Sequence, residues 1–295
     1  MKNRFTRRTA LKNLAGGAAV LASTMVLSEP LRAANLKETK LKGRINHSVC
    51  KWCYNDIPLE DLCKAAKGMG LTSIELLGPD DWPTLKKYDL TCAMAWGAEK
   101  GITEGFNDPK FHDELVSRYE AMIPKVANAG LNNLICFSGN RNGMDDELGM
   151  ENCAKGLKRL MKTAEKHKVT LSMELLNSKV NHKDYMCDRT HWGAALADKI
   201  GSDRFKLLYD IYHMQIMEGD VIATIRKYQQ YISHYHTGGV PGRNEIDDTQ
   251  ELNYPAIMKA ILETGYKGFV AQEFIPKRED KLASLKQGVQ ICDIA

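Results

Sequence analysis

The 295-residue sequence contains no apolar run long enough to cross a bilayer. Its longest candidate, Leu14 to Leu27, falls short of the ~20 residues that a helical span needs. It has no low-complexity tract and no short repeat, which excludes a fibrous or solenoid architecture. No glycine follows the first strand-like run, where the residues are "CKWCYND". That argues against an open sheet with a glycine-rich phosphate loop. No second Cys-x-x-Cys accompanies Cys50 and Cys53, so a four-cysteine zinc site cannot be assembled. Nor does the body of the chain have an excess of charge of one sign. Residues 1–33 hold six Lys or Arg and one Glu, so the remainder carries 35 basic and 36 acidic side chains, a net charge of −1. The +4 of the whole chain comes from its first segment, and nothing in the remainder suggests a nucleic-acid groove.

What is present at the start is an export layout. "TRRTALKNL" places Arg7 and Arg8 in tandem, "LAGGAAVLASTMVL" is apolar and small, and "EPLRAAN" offers cleavage near Ala33 or Ala34. The paired arginines resemble a twin-arginine signal. Residues 1–33 are therefore expected to direct a folded protein to the periplasm, with no membrane association once they are removed, rather than to act as a membrane anchor. The eight cysteines, at 50, 53, 63, 92, 136, 153, 187 and 292, are expected to be buried thiols, because a chain of this length has core enough without staples. A redox or disulfide role stays open for Cys50 and Cys53 alone.

Beyond the first segment, residues 34–295 read as one domain in which strands and helices alternate. The strand-like runs are 45–50, 73–78, 90–97, 132–139, 169–177, 205–213, 232–239 and 268–274. They are nearly continuous in apolar residues, as when both faces of a parallel sheet are buried. Amphipathic segments separate them, several ending on glycine. Eight such units predict an α/β fold of the (β/α)8 TIM-barrel type.

In that fold, chemistry sits at the C-terminal ends of the strands. The fifth strand ends "SMELLN" with Glu174; the sixth ends "LYDIYH" with Asp210 and His213; the seventh ends "HYHTGG" with His236; the eighth ends "AQEF" with Glu273. The spacings of 36, 26 and 37 residues each approximate one unit, so four consecutive strands bring a ligand-type side chain to one rim. Converging acids cannot stay unpaired in a barrel interior. One divalent ion (Mg, Mn, Co or Zn) suits a set of three carboxylates and an imidazole, and it would leave coordination positions open for catalysis. On this reading His213 lies too far along the strand to share the facing of Asp210.

The segments "LYDIYHMQIMEGD", "SHYHTGGVPGRNEIDDTQELNY" and "QEF" resemble the hydroxypyruvate isomerase family, within the xylose-isomerase-like TIM barrels that also include ketose 3-epimerases. The resemblance implies a metal held by Glu174, Asp210, His236 and Glu273, with the two glutamates doubling as acid and base. It implies substrate contacts from His213, Arg243 and Asn177. It also puts Trp52 at the pocket mouth, either over an apolar substrate edge or in the core. One position departs from the pattern: hydroxypyruvate isomerases tend to carry glutamine where this chain has His236, and epimerases carry histidine. The expected partner is a small sugar or hydroxy-keto acid, converted through an enediolate by proton transfer. Isomerisation, 3-epimerisation and a sugar-acid or inosose-type dehydration all stay open, as does glycan binding without turnover.

Overall fold

The structure, a computed structural model, describes residues 40–294. The predicted export segment lies outside the described residues. Seven parallel strands form one sheet: β1 (Asn46–Cys50), β2 (Ser73–Glu75), β3 (Asn133–Cys136), β4 (Thr170–Glu174), β5 (Phe205–Asp210), β6 (Ile232–Thr237) and β7 (Phe269–Gln272), in the order β2-β1-β7-β6-β5-β4-β3. The helices between them are α1 (Leu59–Gly68), α2 (Trp82–Lys87), α3 (His112–Asn128), α4 (Asp146–His167), α5 (Thr190–Ile200), α6 (Ile211–Met217), α7 (Val221–Tyr228), α8 (Tyr254–Glu263) and α9 (Lys281–Cys292). Their apolar faces supply Leu62, Tyr119, Leu157, Leu196, Ile225 and Met258 to the buried layer around the sheet.

The predicted third strand, 90–97, is not a regular strand. It meets its neighbours only through isolated parallel bridges, Ser73 with Thr91, Leu77 with Ala95 and Ala95 with Leu134. Side chains from both flanks explain why. Ser73 Oγ accepts the Ala93 N–H at 2.9 Å, and Asn133 Nδ2 donates to the Ala93 carbonyl at 3.0 Å. The backbone of Ala93 is thus satisfied without a ladder, and the segment still joins β2 to β3. The barrel closes through this eighth, irregular staves-width of chain.

A second difference bears on the site. The sixth strand was expected to run through His213, but β5 stops at Asp210 and α6 follows at once. Asp210 is the helix N-cap: its Oδ1 accepts the His213 N–H at 3.1 Å. An aspartate in extended conformation that captures the amide three residues on starts a helix, whatever the strand preference of Ile211 and Tyr212. His213 is accordingly a helical residue.

Candidate active site

The upper interior of the barrel is acidic. Glu174 ends β4, Asp210 ends β5, His236 lies one residue before the end of β6 and Glu273 directly follows β7. All four are buried, and one ligand atom from each lies within 4.8 Å of those from the other three. His236 Nδ1 faces Glu273 Oε2 at 2.7 Å and Glu174 Oε1 at 3.2 Å. Arg243 Nη2 reaches Glu273 Oε2 at 2.6 Å and Asp210 Oδ2 at 3.2 Å. The structure thus brings together the four side chains that the strand-end expectation singled out.

Their electrostatics reflect crowding. Burial pushes the Glu174 carboxyl up, reinforced by the charge on Glu273. Burial pushes Asp210 up to about 8 in spite of Arg243. Burial would raise Glu273 too, but Arg243 and His236 hold it well below the usual carboxylate range. Burial disfavours protonation of His236, yet the Cys50 sulfur and Glu273 outweigh that and raise its pKa well above a free imidazole's. Arg243 and one imidazole thus neutralise the three acids only in part. The donor set, three carboxylate oxygens and one imidazole nitrogen converging in a buried space, fits a divalent cation of the hard or borderline class.

The predicted substrate side is placed less uniformly. His213 is fully buried, and burial and the charge of Arg243 hold its pKa well below the ordinary value. The backbone N–H of Asn177 (3.1 Å) and its Nδ2 (2.6 Å) both face His213 Nδ1. Nδ1 must then be an acceptor, which assigns the proton to Nε2 from the hydrogen-bond network. That Nε2 has no hydrogen-bond partner and lies 3.7 Å from Asp210 Oδ2. Asn177 differs from expectation. Its amide oxygen accepts from Val180 N and Asn181 N, and its Nδ2 also donates to Asn181. With every polar atom committed, Asn177 orients His213 instead of meeting a ligand.

Arg243 sits in a tight turn after the cis Val240–Pro241 bond, with a left-handed φ of 59°. Its guanidinium lies against the rings of Trp52 and Tyr212, at 5.1 and 5.4 Å from their centroids. Its Nη2 is engaged by Asp210 and Glu273, while its Nε has no hydrogen-bond partner. Trp52 lies in the one-turn 3-10 helix Lys51–Tyr54 after β1 and donates Nε1–H to Glu273 Oε1 at 2.8 Å. It has both a wall and a polar duty.

A cavity of about 440 Å³ opens above the cluster. Trp52, Trp96, Phe137 and Leu176 make apolar walls, while Glu174, Glu273, Arg243 and His182 supply polar edges. Of the four clustered side chains, only Glu174 and Glu273 line it. Cys50 and Cys53 are buried free thiols whose pKa values burial raises well above normal, the opposite of an activated redox pair.

Besides the cavity-lining Trp96, Phe137, Leu176 and His182, two residues of the buried cluster went unread in the sequence. Glu75, the last residue of β2, lies behind His236, with Oε1 2.9 Å from His236 Nε2 and 2.7 Å from His234 Nε2. The rule applied to the last four strands would have found Glu75 in "SIELLG", and period-two alternation places His234 on the face of His236.

The sequence model of the xylose isomerase-like TIM barrel family matches residues 63–292. Hydroxypyruvate isomerase of Escherichia coli is 35% identical over 106 residues, spanning 35% of this chain and 41% of that protein, so the match covers less than half of the relative's length. The 2-oxo-tetronate isomerase of Pectobacterium atrosepticum is 24% identical over 250 residues, 78% of this chain and 92% of the other. Among solved structures, one described as an AP endonuclease, family 2, from Brucella melitensis superposes with a TM-score of 0.73 at 22% identity, covering 83% of this chain and 97% of its own. That likeness is one of fold. The chain belongs to the xylose isomerase-like TIM barrel family.

Proposed function

We propose that this protein is a metal-dependent isomerase of small α-hydroxy carbonyl compounds, sugars or sugar acids, working by proton transfer between Glu174 and Glu273. The observation that carries this reading is the four-donor cluster beneath a cavity that two of its members, Glu174 and Glu273, line. A divalent ion held by Glu174, Asp210, His236 and Glu273 would supply Lewis-acid polarisation of the substrate carbonyl. The relatives named as isomerases support the same class of reaction.

The chain's own residues account for the rest. Glu273 is kept ionised by Arg243 and His236 and steadied by the Trp52 N–H, which suits a base that takes the proton next to the carbonyl. Glu174, with its raised proton affinity, suits the partner that returns a proton. The Nε2–H of His213 has no hydrogen-bond partner and lies 3.7 Å from Asp210 Oδ2, beside the donor cluster.

A second reading, 3-epimerisation of a ketose, is favoured by His236, because the resemblance puts histidine at that position in epimerases and glutamine in hydroxypyruvate isomerases. Both readings require the same proton exchange. In Glu174→Gln and Glu273→Gln, wash-in of solvent deuterium to a reactive ketose or hydroxy-keto acid should drop by about 10²–10⁴-fold while the fold is retained. Full exchange in either variant refutes the acid/base assignment. Product identity separates the outcomes: a moved carbonyl marks isomerisation, an inverted centre epimerisation, and a loss of water the dehydratase alternative.

A further inference from the structure

His236 presents its two nitrogens to three acids. Nδ1 faces Glu174 and Glu273 on the cavity side, and Nε2 faces Glu75 on the far side. Glu75 is fully buried, and Cβ-to-carboxylate it stands on β2, on the other side of β1 from β7 and β6. A buried acid at this depth is costly unless hydrogen-bonded. It is stabilised by His234 Nε2 at 2.7 Å, from the same strand as His236 and two residues before it. One carboxylate oxygen thus accepts from two imidazoles, while Glu75 Oε2 and His234 Nδ1 have no partner. The hydroxyls that build the layer below, Ser48 and Ser73, pair with each other at 2.8 Å and leave Glu75 to the histidines.

We propose that Glu75 is a positioning residue for the metal centre: by accepting the Nε2–H of His236 it fixes the ring's tautomer and turns the Nδ1 lone pair toward the cation, with His234 holding Glu75 in place. This rests on the metal-dependent reading above. The chemistry is general: a ligating imidazole that donates its other N–H to a carboxylate is oriented and made more basic, and loss of that partner weakens metal binding by about 10–100-fold. Glu75 is not itself placed to share the ion held by the four donors, because the His236 ring stands between it and Glu174 and Glu273. Glu75 Oε1 lies within hydrogen-bond distance of both Nε2 atoms.

The test uses Zn²⁺ and the full folded chain. Metal-free wild type, Glu75→Gln and Ser172→Ala are titrated with Zn²⁺ against a chromophoric chelator. Ser172, paired with Ser233 Oγ at 2.9 Å, controls for a buried hydrogen bond lost without contact to the cluster. Wild type and Ser172→Ala should bind one equivalent with equal affinity, and Glu75→Gln should bind it 10–100-fold more weakly. Histidine-labelled ¹⁵N spectra of Zn²⁺-loaded wild type should show His236 protonated at Nε2 and metal-bound at Nδ1, a readout that needs no variant to fold. Equal affinity in Glu75→Gln, an Nε2-bound zinc, or a second equivalent lost with Glu75 would each overturn the proposal while leaving the metal reading standing. No zinc bound by wild type would overturn both.

Discussion

Trp52 shows how one side chain can carry two roles. Its ring walls the cavity beneath Arg243, and its Nε1–H steadies the Glu273 carboxylate. Trp52→Phe keeps most of the ring and removes only the donor. A hydrogen bond to a charged acceptor contributes about 1.5–3 kcal/mol. Turnover should therefore fall by about tenfold or somewhat more with little change in Tm. The sign of the pH effect follows from the lost donor: Glu273 becomes easier to protonate, so the acid limb of kcat/KM moves to higher pH. An unshifted limb with unchanged turnover would reduce Trp52 to a wall. Asn177 teaches the converse. Its residue type and position suggested a ligand contact, but its amide is consumed by His213 and by the turn that follows β4, a fact fixed by neighbours 4 and 36 residues away.

β2 and the irregular segment beside it close the barrel with side chains in place of a ladder. Ser73 Oγ is the pivot, meeting Ser48 Oγ at 2.8 Å and the Ala93 N–H at 2.9 Å. Ser73→Ala leaves a buried backbone donor unpaired, at a cost of about 1–3 kcal/mol. For a chain of this length that lowers Tm by several degrees, with Zn²⁺ affinity unaffected; calorimetry beside a metal titration checks both. The same region shows why strand periodicity alone misjudged the segment. "LTCAMAWG" has the composition of a buried strand, but whether its amides join a ladder depends on Ser73 and Asn133, which arrive from other elements. At β5 the error had a local cause that was readable: an aspartate three residues before His213 is an N-cap, and the apolar run through Ile211 and Tyr212 masked it.

On the metal-dependent reading proposed above, the whole molecule couples protons to the cation. In the metal-free state Asp210 is raised to about 8 by burial, so it holds a proton in the fold at pH values where the unfolded chain has lost it. Through Asp210 the folded state binds more protons between the ordinary aspartate range, about 4, and about 8, so this group's contribution to stability falls as pH rises through that window. Glu174 acts in the same direction, whereas the depressed Glu273 titrates below the window and does not cancel it. Binding a divalent ion needs these carboxyls ionised and should release protons at pH 7. Tm should consequently rise with Zn²⁺ or Mn²⁺ concentration, more steeply at pH 8 than at pH 6, and return on chelation. A Tm indifferent to metal at every pH refutes this linkage.

Periodicity, glycine-terminated helices and the regular spacing of Glu174, Asp210, His236 and Glu273 sufficed for the barrel and for the four converging donors, because each depends on a local pattern repeated unit by unit. Even so, the same logic stopped four strands too early and passed over Glu75. The tautomer of His213, the engagement of Arg243 by two acids, the duty of Asn177 and the pairing of Glu75 with His234 and His236 were decided only in three dimensions. Each is a hydrogen bond or ion pair between residues from 4 to 161 positions apart, or an orientation set by one. Such contacts exist only once the barrel brings the strand ends to a common interior.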